Sequence, residues 1–187
     1  MANSNGHLQQ SKVNYRLLKK LAENLDSQFQ HDWQVTLCFY VAVHLVNALL
    51  AKENEHPQTH SETLEAIVLL KSVSNPNDLY VIKSIYKSLK EYSQKARYLR
   101  PIKSKDPNQF KSAKYITGEE LMNTLFLLNS LMDKLDAILP TFINDEFERI
   151  NFHIKINNKI SEIELDVLEG FTTQMKSRFR ISFFQAI

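Results

Sequence analysis

The sequence predicts a mainly α protein, an up-and-down bundle of about five helices followed by a small C-terminal antiparallel β-meander. The chain has 187 residues, of which 43% are hydrophobic, so it can fill one core. It holds only three glycines and five prolines, too few for a large β-sandwich, which turns every ~8–12 residues. Apolar residues also recur at three- and four-residue intervals through most of the first part of the chain. We therefore predict a helical domain at residues 1–140 and a β-rich appendage at 141–187.

The central helix is predicted at residues 35–51, the most apolar stretch of the chain. Apolar side chains cover nearly its whole circumference, which is typical of a helix enclosed by other helices. A membrane span is the alternative, but the stretch only reaches the lower length limit of ~17 residues and contains His44 and Asn47. We therefore predict a buried core helix and no membrane association.

Amphipathic helices are predicted around this core helix. Their apolar stripes occupy residues 13–29, 61–73, 79–98 and 118–139. Two of them follow a Thr-x-x-Glu pattern, at Thr59 and at Thr117, in which the two side chains satisfy backbone N–H groups that a helix start leaves unpaired. Residues 1–11 are predicted to be a disordered N-terminal segment, because the first six positions are polar.

The C-terminal residues follow a different period. Residues 150–157 alternate strictly between apolar and polar side chains, and residues 163–167 and 179–183 alternate again, which is typical of strands with one buried face. Asn157-Asn158 is a candidate turn between the first two runs. Part of this region also fits helical spacing, so a pair of further helices stays open as the alternative to the meander.

The cysteine count and the N-terminal sequence indicate the cellular compartment, and the motifs indicate whether a cofactor is expected. Cys38 is the only cysteine and lies in an apolar run, which excludes an internal disulfide framework and predicts a buried, unreactive thiol in a cytoplasmic, reducing setting. The N-terminus lacks the basic-then-apolar order of a secretion signal. The sequence contains no glycine-rich phosphate loop and no paired cysteines. No cofactor is therefore predicted.

The strongest functional signal is a basic segment that follows the stripe at 79–98. The net charge of the chain is only +2, yet residues 95–114 hold seven basic side chains against the single acid Asp106. The seven are Lys95, Arg97, Arg100, Lys103, Lys105, Lys111 and Lys114. Tyr98 and Phe110 are interleaved with them, and cations beside aromatic faces suit a phosphate backbone with unstacked bases. The segment is predicted to bind RNA or a nucleotide, and a solvated inter-helix loop is the alternative.

Histidines offer weaker candidates for chemistry. His56 and His60 stand four residues apart, but Pro57 argues against a regular helix through the pair and spacing fixes no third ligand. We predict no metal there and keep both histidines, with Arg97, as weak catalytic candidates. His44 is predicted to be a satisfied buried imidazole in the core helix. His31 is predicted to lie at the start of that helix.

Three sequence features together resemble a known family. Residues 39–50 read Phe-Tyr-Val-Ala-Val-His-Leu-Val-Asn-Ala-Leu-Leu, a His-Pro-x-x-His pattern follows at 56–60, and a later helix ends in Tyr-x-x-x-Ala-Arg-Tyr at 92–98. Over roughly residues 30–140 this pattern resembles the HEPN superfamily. The resemblance implies a helical bundle, frequent homodimerisation and work on RNA or nucleotides, often in toxin-antitoxin or antiphage defence systems. It also implies that catalytic members are metal-independent ribonucleases with an Arg and a His separated by four to six residues.

The sequence departs from that catalytic pattern, because its nearest pair, Arg149 and His153, is one residue too close. Our first hypothesis is therefore a non-catalytic protein that binds RNA or a nucleotide through Arg97, Arg100 and the neighbouring lysines, and that forms a homodimer. The second is a ribonuclease with a rearranged site, in which Arg97 stabilises the pentavalent phosphate and a histidine of residues 56–60 transfers the proton. The third is a protein-interaction scaffold that docks a partner through the edge of its C-terminal strands.

Overall fold

The computed structural model describes residues 3–23, 31–98, 116–138, 147, 149–156 and 179–185. Within them it has the mainly helical architecture that the sequence predicts. The elements in chain order are α1 (Ser4–Ala22), α2 (His31–Lys52), α3 (His60–Ile67), α4 (Pro76–Tyr98), α5 (Gly118–Ile138), β1 (Ile150–Ile156) and β2 (Phe179–Gln185).

Helix α2 is the core helix of the bundle, as predicted. It packs against each of the other four helices, and buried side chains cover its circumference, including the fully buried Phe39, Leu45 and Leu49. By length and composition α2 could cross a membrane, but 78% of its most apolar stretch is buried inside the protein. Burial of this extent is typical of the core helix of a soluble protein.

Helix α1 begins earlier than the sequence predicts, so the expectation of a disordered N-terminal segment over residues 1–11 is wrong from Ser4 onward. The side chain of Asn3 caps the helix by accepting the N–H at its third position. The Ser4 hydroxyl then donates to the carbonyl of Ala48 at 2.8 Å. The buried Ser11 hydroxyl donates to another carbonyl of α2. These bonds to α2 order a segment whose own sequence is polar.

Helix α3 is shorter than the predicted stripe at residues 61–73, although its Thr59 cap forms as predicted. The helix ends at Ile67. Beyond it, the carboxylate of Glu53 accepts the backbone N–H groups of Lys71 and Ser72 at 2.9 and 2.6 Å. These two N–H groups therefore have a hydrogen-bond acceptor without a further turn of α3.

The two C-terminal strands run parallel, so the predicted antiparallel meander is wrong in its direction. Ile150 pairs with Phe179 and Ile156 with Gln185. Alternation identifies a strand with one buried face but carries no information about the direction of its partner. A parallel pair needs a long crossover rather than a two-residue turn, and residues 157–178 separate the two strands in sequence. The predicted run at 163–167 and the Asn157-Asn158 turn lie outside the described residues.

The sheet joins the core of the bundle instead of forming a core of its own. Phe152 and Phe179 are buried and meet edge to face, with ring centroids 5.7 Å apart. Tyr15 of α1 packs against Phe147 in the same way at 4.9 Å and also reaches Phe179. These aromatic contacts join the second half of α1 to the C-terminal residues, and α4 also packs against α2.

Candidate functional site

Arg97, in the last turn of α4, is held against α2. Its Nη1 donates to the hydroxyl of Tyr40 at 3.2 Å, and its Nε donates to the carbonyl of Ser93 at 3.4 Å. These two bonds use only part of the five N–H donors of a guanidinium. The half-buried Arg97 is therefore oriented by the protein and retains donors that can reach a ligand.

Two aromatic rings lie near this guanidinium. The guanidinium carbon Cζ of Arg97 is 5.7 Å from the ring centroid of Tyr40 and 5.0 Å from that of Tyr98. Both distances are in the range in which a cation is attracted to a ring face. Tyr98 is 57% exposed, so the end of α4 presents an aromatic surface next to a fixed cation.

His60, the first residue of α3, is held by aromatic residues of two other helices. Its Nδ1 is hydrogen-bonded to the hydroxyl of Tyr86 at 2.9 Å. Its ring also meets Phe39 edge to face, with centroids 5.0 Å apart. Burial raises the pKa of Tyr86 to about 12, so this phenol keeps its proton at neutral pH and can donate it to the imidazole.

The electrostatic surroundings of His60 are positive. Its pKa lies below the ordinary value of 6.5, first because burial disfavours the imidazolium and then because Lys90 and Arg97 repel it. His60 is therefore neutral at pH 7. Lys90 and Arg97 of α4 therefore lie close enough to the start of α3 to act on His60, and they add positive charge to this region.

The predicted site residues separate into three groups in the structure. Arg97 and His60 share the site just described. Lys95 instead forms an ion pair with Glu120 of α5, so its charge is already matched within the protein. The other five cations lie outside the described residues; they are Arg100, Lys103, Lys105, Lys111 and Lys114.

His56 acts electrostatically on a residue of a different helix, α1. Its charge acts on His7 of α1, whose pKa it lowers, whereas the pKa of His60 responds to cations of α4. Among the residues that the structure describes, no group of three or more His, Cys, Asp or Glu side chains could hold a metal ion. The four-residue spacing of His56 and His60 therefore does not correspond to a shared site.

Two further sequence predictions concern the core. His31 begins α2 as predicted, with its Nδ1 3.3 Å from the carbonyl of Ile116. Burial lowers the pKa of this imidazole. Cys38 is fully buried, and burial raises the pKa of its thiol far above the usual range. Both side chains belong to the packing of the bundle, and Cys38 cannot act as a thiolate at neutral pH.

Sequence reasoning missed Lys90, Tyr40 and Tyr86 as parts of the site. One signal could have found the α4 residues, because positions 86, 90, 93 and 97 follow the spacing of a single helix face. No local signal could have found Tyr40, which lies 57 positions before Arg97 in the chain and meets it only through the packing of α2 on α4.

Comparisons with known proteins give no relative for this chain. No family model, no curated protein and no solved structure matches it.

Proposed function

We propose that this protein is a HEPN-like helical bundle that binds single-stranded RNA, without cleaving it, at the end of α4. The contacts would be a phosphate on Arg97 and Lys90, beside the neutral His60, and an unstacked base on Tyr98. The observation that carries the proposal is the oriented guanidinium of Arg97 beside the exposed ring of Tyr98, directly before the basic segment of the sequence.

Phosphate recognition is supported by the way Arg97 is fixed. A guanidinium can donate two parallel hydrogen bonds to one phosphate, and an oriented guanidinium loses less side-chain entropy on binding than a free one. Tyr40 and Ser93 supply that orientation. Lys90 adds a second positive charge near His60, so that the site attracts a polyanion before contact is made.

A preference for single strands is supported by the aromatic surface. Bases stack on exposed rings only when they are not paired within a duplex, and such stacking contributes about 1–3 kcal/mol per base. Tyr98 has the required exposure. The basic residues from 100 to 114 continue the positive charge along the chain and would follow the backbone of a longer RNA.

The resemblance to the HEPN superfamily adds an oligomeric state and a biological role to the proposal. We propose a cytoplasmic homodimer that acts in a toxin-antitoxin or defence system, because the resemblance implies work on RNA or nucleotides, often in such systems.

The proposal is tested by fluorescence anisotropy with a labelled single-stranded RNA. We expect Arg97→Ala to weaken binding by about tenfold or more, because a hydrogen bond to a charged group contributes about 1.5–3 kcal/mol. Two matched controls remove a lysine from the same helix. Lys87→Ala removes an exposed cation on α4, and Lys95→Ala removes one that is already paired with Glu120. Wild-type affinity for Arg97→Ala, or an equal loss in Lys87→Ala, would contradict a defined site.

A second candidate function is a metal-independent endoribonuclease. The observation that favours it is that His60 and Arg97 lie in one electrostatic environment, with His60 in the neutral form that accepts a proton. The imidazole would take the proton of a ribose 2′-hydroxyl, whose oxygen then attacks the adjacent phosphorus and expels the 5′-oxygen of the next nucleotide, which accepts a proton from water as the P–O bond breaks. Arg97 would stabilise the pentavalent phosphate. The products would be a 2′,3′-cyclic phosphate and a 5′-hydroxyl.

The second function is separated from the first by looking for cleavage in the presence of a chelator. A ribonuclease of this kind cuts the RNA, and His60→Gln abolishes cutting while binding persists. His56→Gln is the control, since that histidine lies near α1 and should have no effect. Intact RNA throughout the experiment, or cutting that survives His60→Gln, excludes the catalytic assignment.

A further inference from the structure

A pair of histidines joins α1 to α2 on a part of the bundle that the proposed RNA site does not use. The Nδ1 atoms of His7 and His44 are 3.3 Å apart. Their ring centroids are 5.6 Å apart and the ring planes are inclined by 32°, so the two nitrogens face each other across the helix interface. The sequence predicts a satisfied imidazole for His44, and the partner that the structure gives it, His7, lies in the segment that the sequence predicts to be disordered.

The contact between the two imidazoles already brings two potential ligand atoms together. At 3.3 Å the Nδ1–H of one neutral ring donates to the Nδ1 lone pair of the other. A metal ion bound to both Nδ1 atoms would take the place of this shared hydrogen, and the proton would move to Nε2 of the ring that carried it.

The distance between the nitrogens matches a tetrahedral metal. Two ligand nitrogens at about 2.0–2.1 Å from a tetrahedral Zn²⁺ stand about 3.4 Å apart. The right angle of a square-planar Cu²⁺ site with bonds of similar length would bring them to about 2.9 Å. The 3.3 Å between His7 and His44 agrees with the tetrahedral value.

We propose that His7 and His44 form a binding site for a tetrahedral divalent transition metal of the Zn²⁺ class, which pins the N-terminal half of α1 to α2. In this proposed site the two histidines bind the ion and water completes its coordination; the described residues contain no group of three or more metal-binding side chains. Asn47 lies one helical turn after His44, and its Oδ1 is buried without a hydrogen-bond partner among the described residues. This oxygen can accept a hydrogen bond from a metal-bound water.

The site has a structural effect because of its position. Ser4 and Ser11 bond α1 to α2 on either side of His7, so a metal bridge would close the gap between these two hydrogen bonds. A ligand that binds only the folded chain stabilises it by mass action. Binding of the metal should therefore raise the melting temperature of the whole protein and slow hydrogen exchange at the start of α1.

The test uses the full chain without an affinity tag, treated with chelator and then titrated with ZnCl₂ by calorimetry. We expect one Zn²⁺ per chain, a higher melting temperature with the metal, and a visible tetrahedral absorption band when Co²⁺ is used instead. His7→Gln and His44→Gln should each weaken Zn²⁺ binding by about tenfold or more. His60→Gln removes a histidine of the other site and should bind Zn²⁺ like the wild type.

Several results would overturn the site. These are an absence of Zn²⁺ binding to the wild type, wild-type binding by His7→Gln, or loss of binding in His60→Gln. Each variant is compared with the wild type by circular dichroism before titration. If His44→Gln does not fold, His7→Gln decides the question alone, since replacing a half-buried residue near the N-terminus removes the ligand without opening the core.

Discussion

The guanidinium of Arg97 donates a hydrogen bond to the hydroxyl of Tyr40, 3.2 Å away, and thereby joins the last turn of α4 to the middle of the core helix α2. The bond has two consequences. It gives the cation a fixed direction at the edge of the bundle, and it leaves the remaining donors of the guanidinium for another acceptor. Tyr40 is therefore a positioning residue for the proposed RNA site.

Replacing Tyr40 tests this positioning role. In Tyr40→Phe the ring remains under the guanidinium but the hydroxyl is lost, so we expect RNA affinity to fall about threefold to tenfold, the equivalent of a hydrogen bond of about 0.5–1.5 kcal/mol. The measurement is RNA anisotropy beside thermal melting. Tyr80→Phe, which removes a hydroxyl from an exposed tyrosine of α4, is the control. Equal RNA binding by Tyr40→Phe and the wild type would remove Tyr40 from the site.

The role of α2 as a core helix predicts a large loss of stability on truncation. Leu45 is fully buried, so Leu45→Ala should lower the free energy of unfolding by about 2–5 kcal/mol. Trp33 is on the same helix but 66% exposed, so Trp33→Ala should change it by about 0.5 kcal/mol or less. Urea unfolding of the purified variants gives both values. Similar losses in the two variants would contradict the packing of α2.

The early start of α1 predicts a capping effect at Asn3. Asn3→Ala removes the side-chain acceptor of the Gly6 N–H, and we expect it to lower the free energy of unfolding by about 0.5–2 kcal/mol. Asn3→Ser keeps an acceptor and should recover most of this loss. Hydrogen exchange along residues 4–11 is the direct measurement. Exchange in the wild type at the rate of an unfolded peptide would mean that the helix does not begin at Ser4.

Histidine burial predicts that acid destabilises the protein. The pKa values of His7, His31, His44 and His60 all lie below 6.5 in the folded chain. The unfolded chain therefore binds more protons, and the free energy of unfolding rises with pH through this range. The contribution of these four neutral imidazoles to the free energy of unfolding is complete above pH 6.5. It is lost as the pH falls from 6.5 toward the lowered pKa values of the folded chain.

Urea unfolding at about pH 7.5 and about pH 5.5 checks this dependence. We expect lower stability at the acidic pH, and a smaller difference in the double variant His7→Gln, His44→Gln. Glu53 and Glu62 also have lowered pKa values, but their ordinary value of 4.5 places their effect at more acidic pH. Equal stability at the two pH values would contradict burial of the neutral imidazoles.

Much of the fold follows from local patterns. The stripes at 79–98 and 118–139 correspond to α4 and α5, and the capping residues Thr59 and Thr117 act as their sequence indicates. These features depend on neighbours within one turn, so the sequence carries them directly. The parallel direction of β2 relative to β1 depends instead on contacts with distant parts of the chain, and so does the helical structure of residues 4–11.

The candidate site was only partly predictable for the same reason. Arg97 was found through its basic neighbours and His60 through a short motif, each by local sequence. Their meeting requires α3 and α4 to pack on one side of the bundle. The ion pair between Lys95 and Glu120 likewise joins residues that are 25 positions apart, so charge density alone could not separate Lys95 from Arg97.

Incubation of the protein with a labelled single-stranded RNA and a chelator, at about 50 mM and about 200 mM salt, tests the central claim most directly. If cations at the end of α4 hold the phosphate backbone, the RNA is retained intact at low salt and its affinity falls steeply at the higher concentration. Failure to retain RNA at low salt, or retention that salt does not change, would contradict the account.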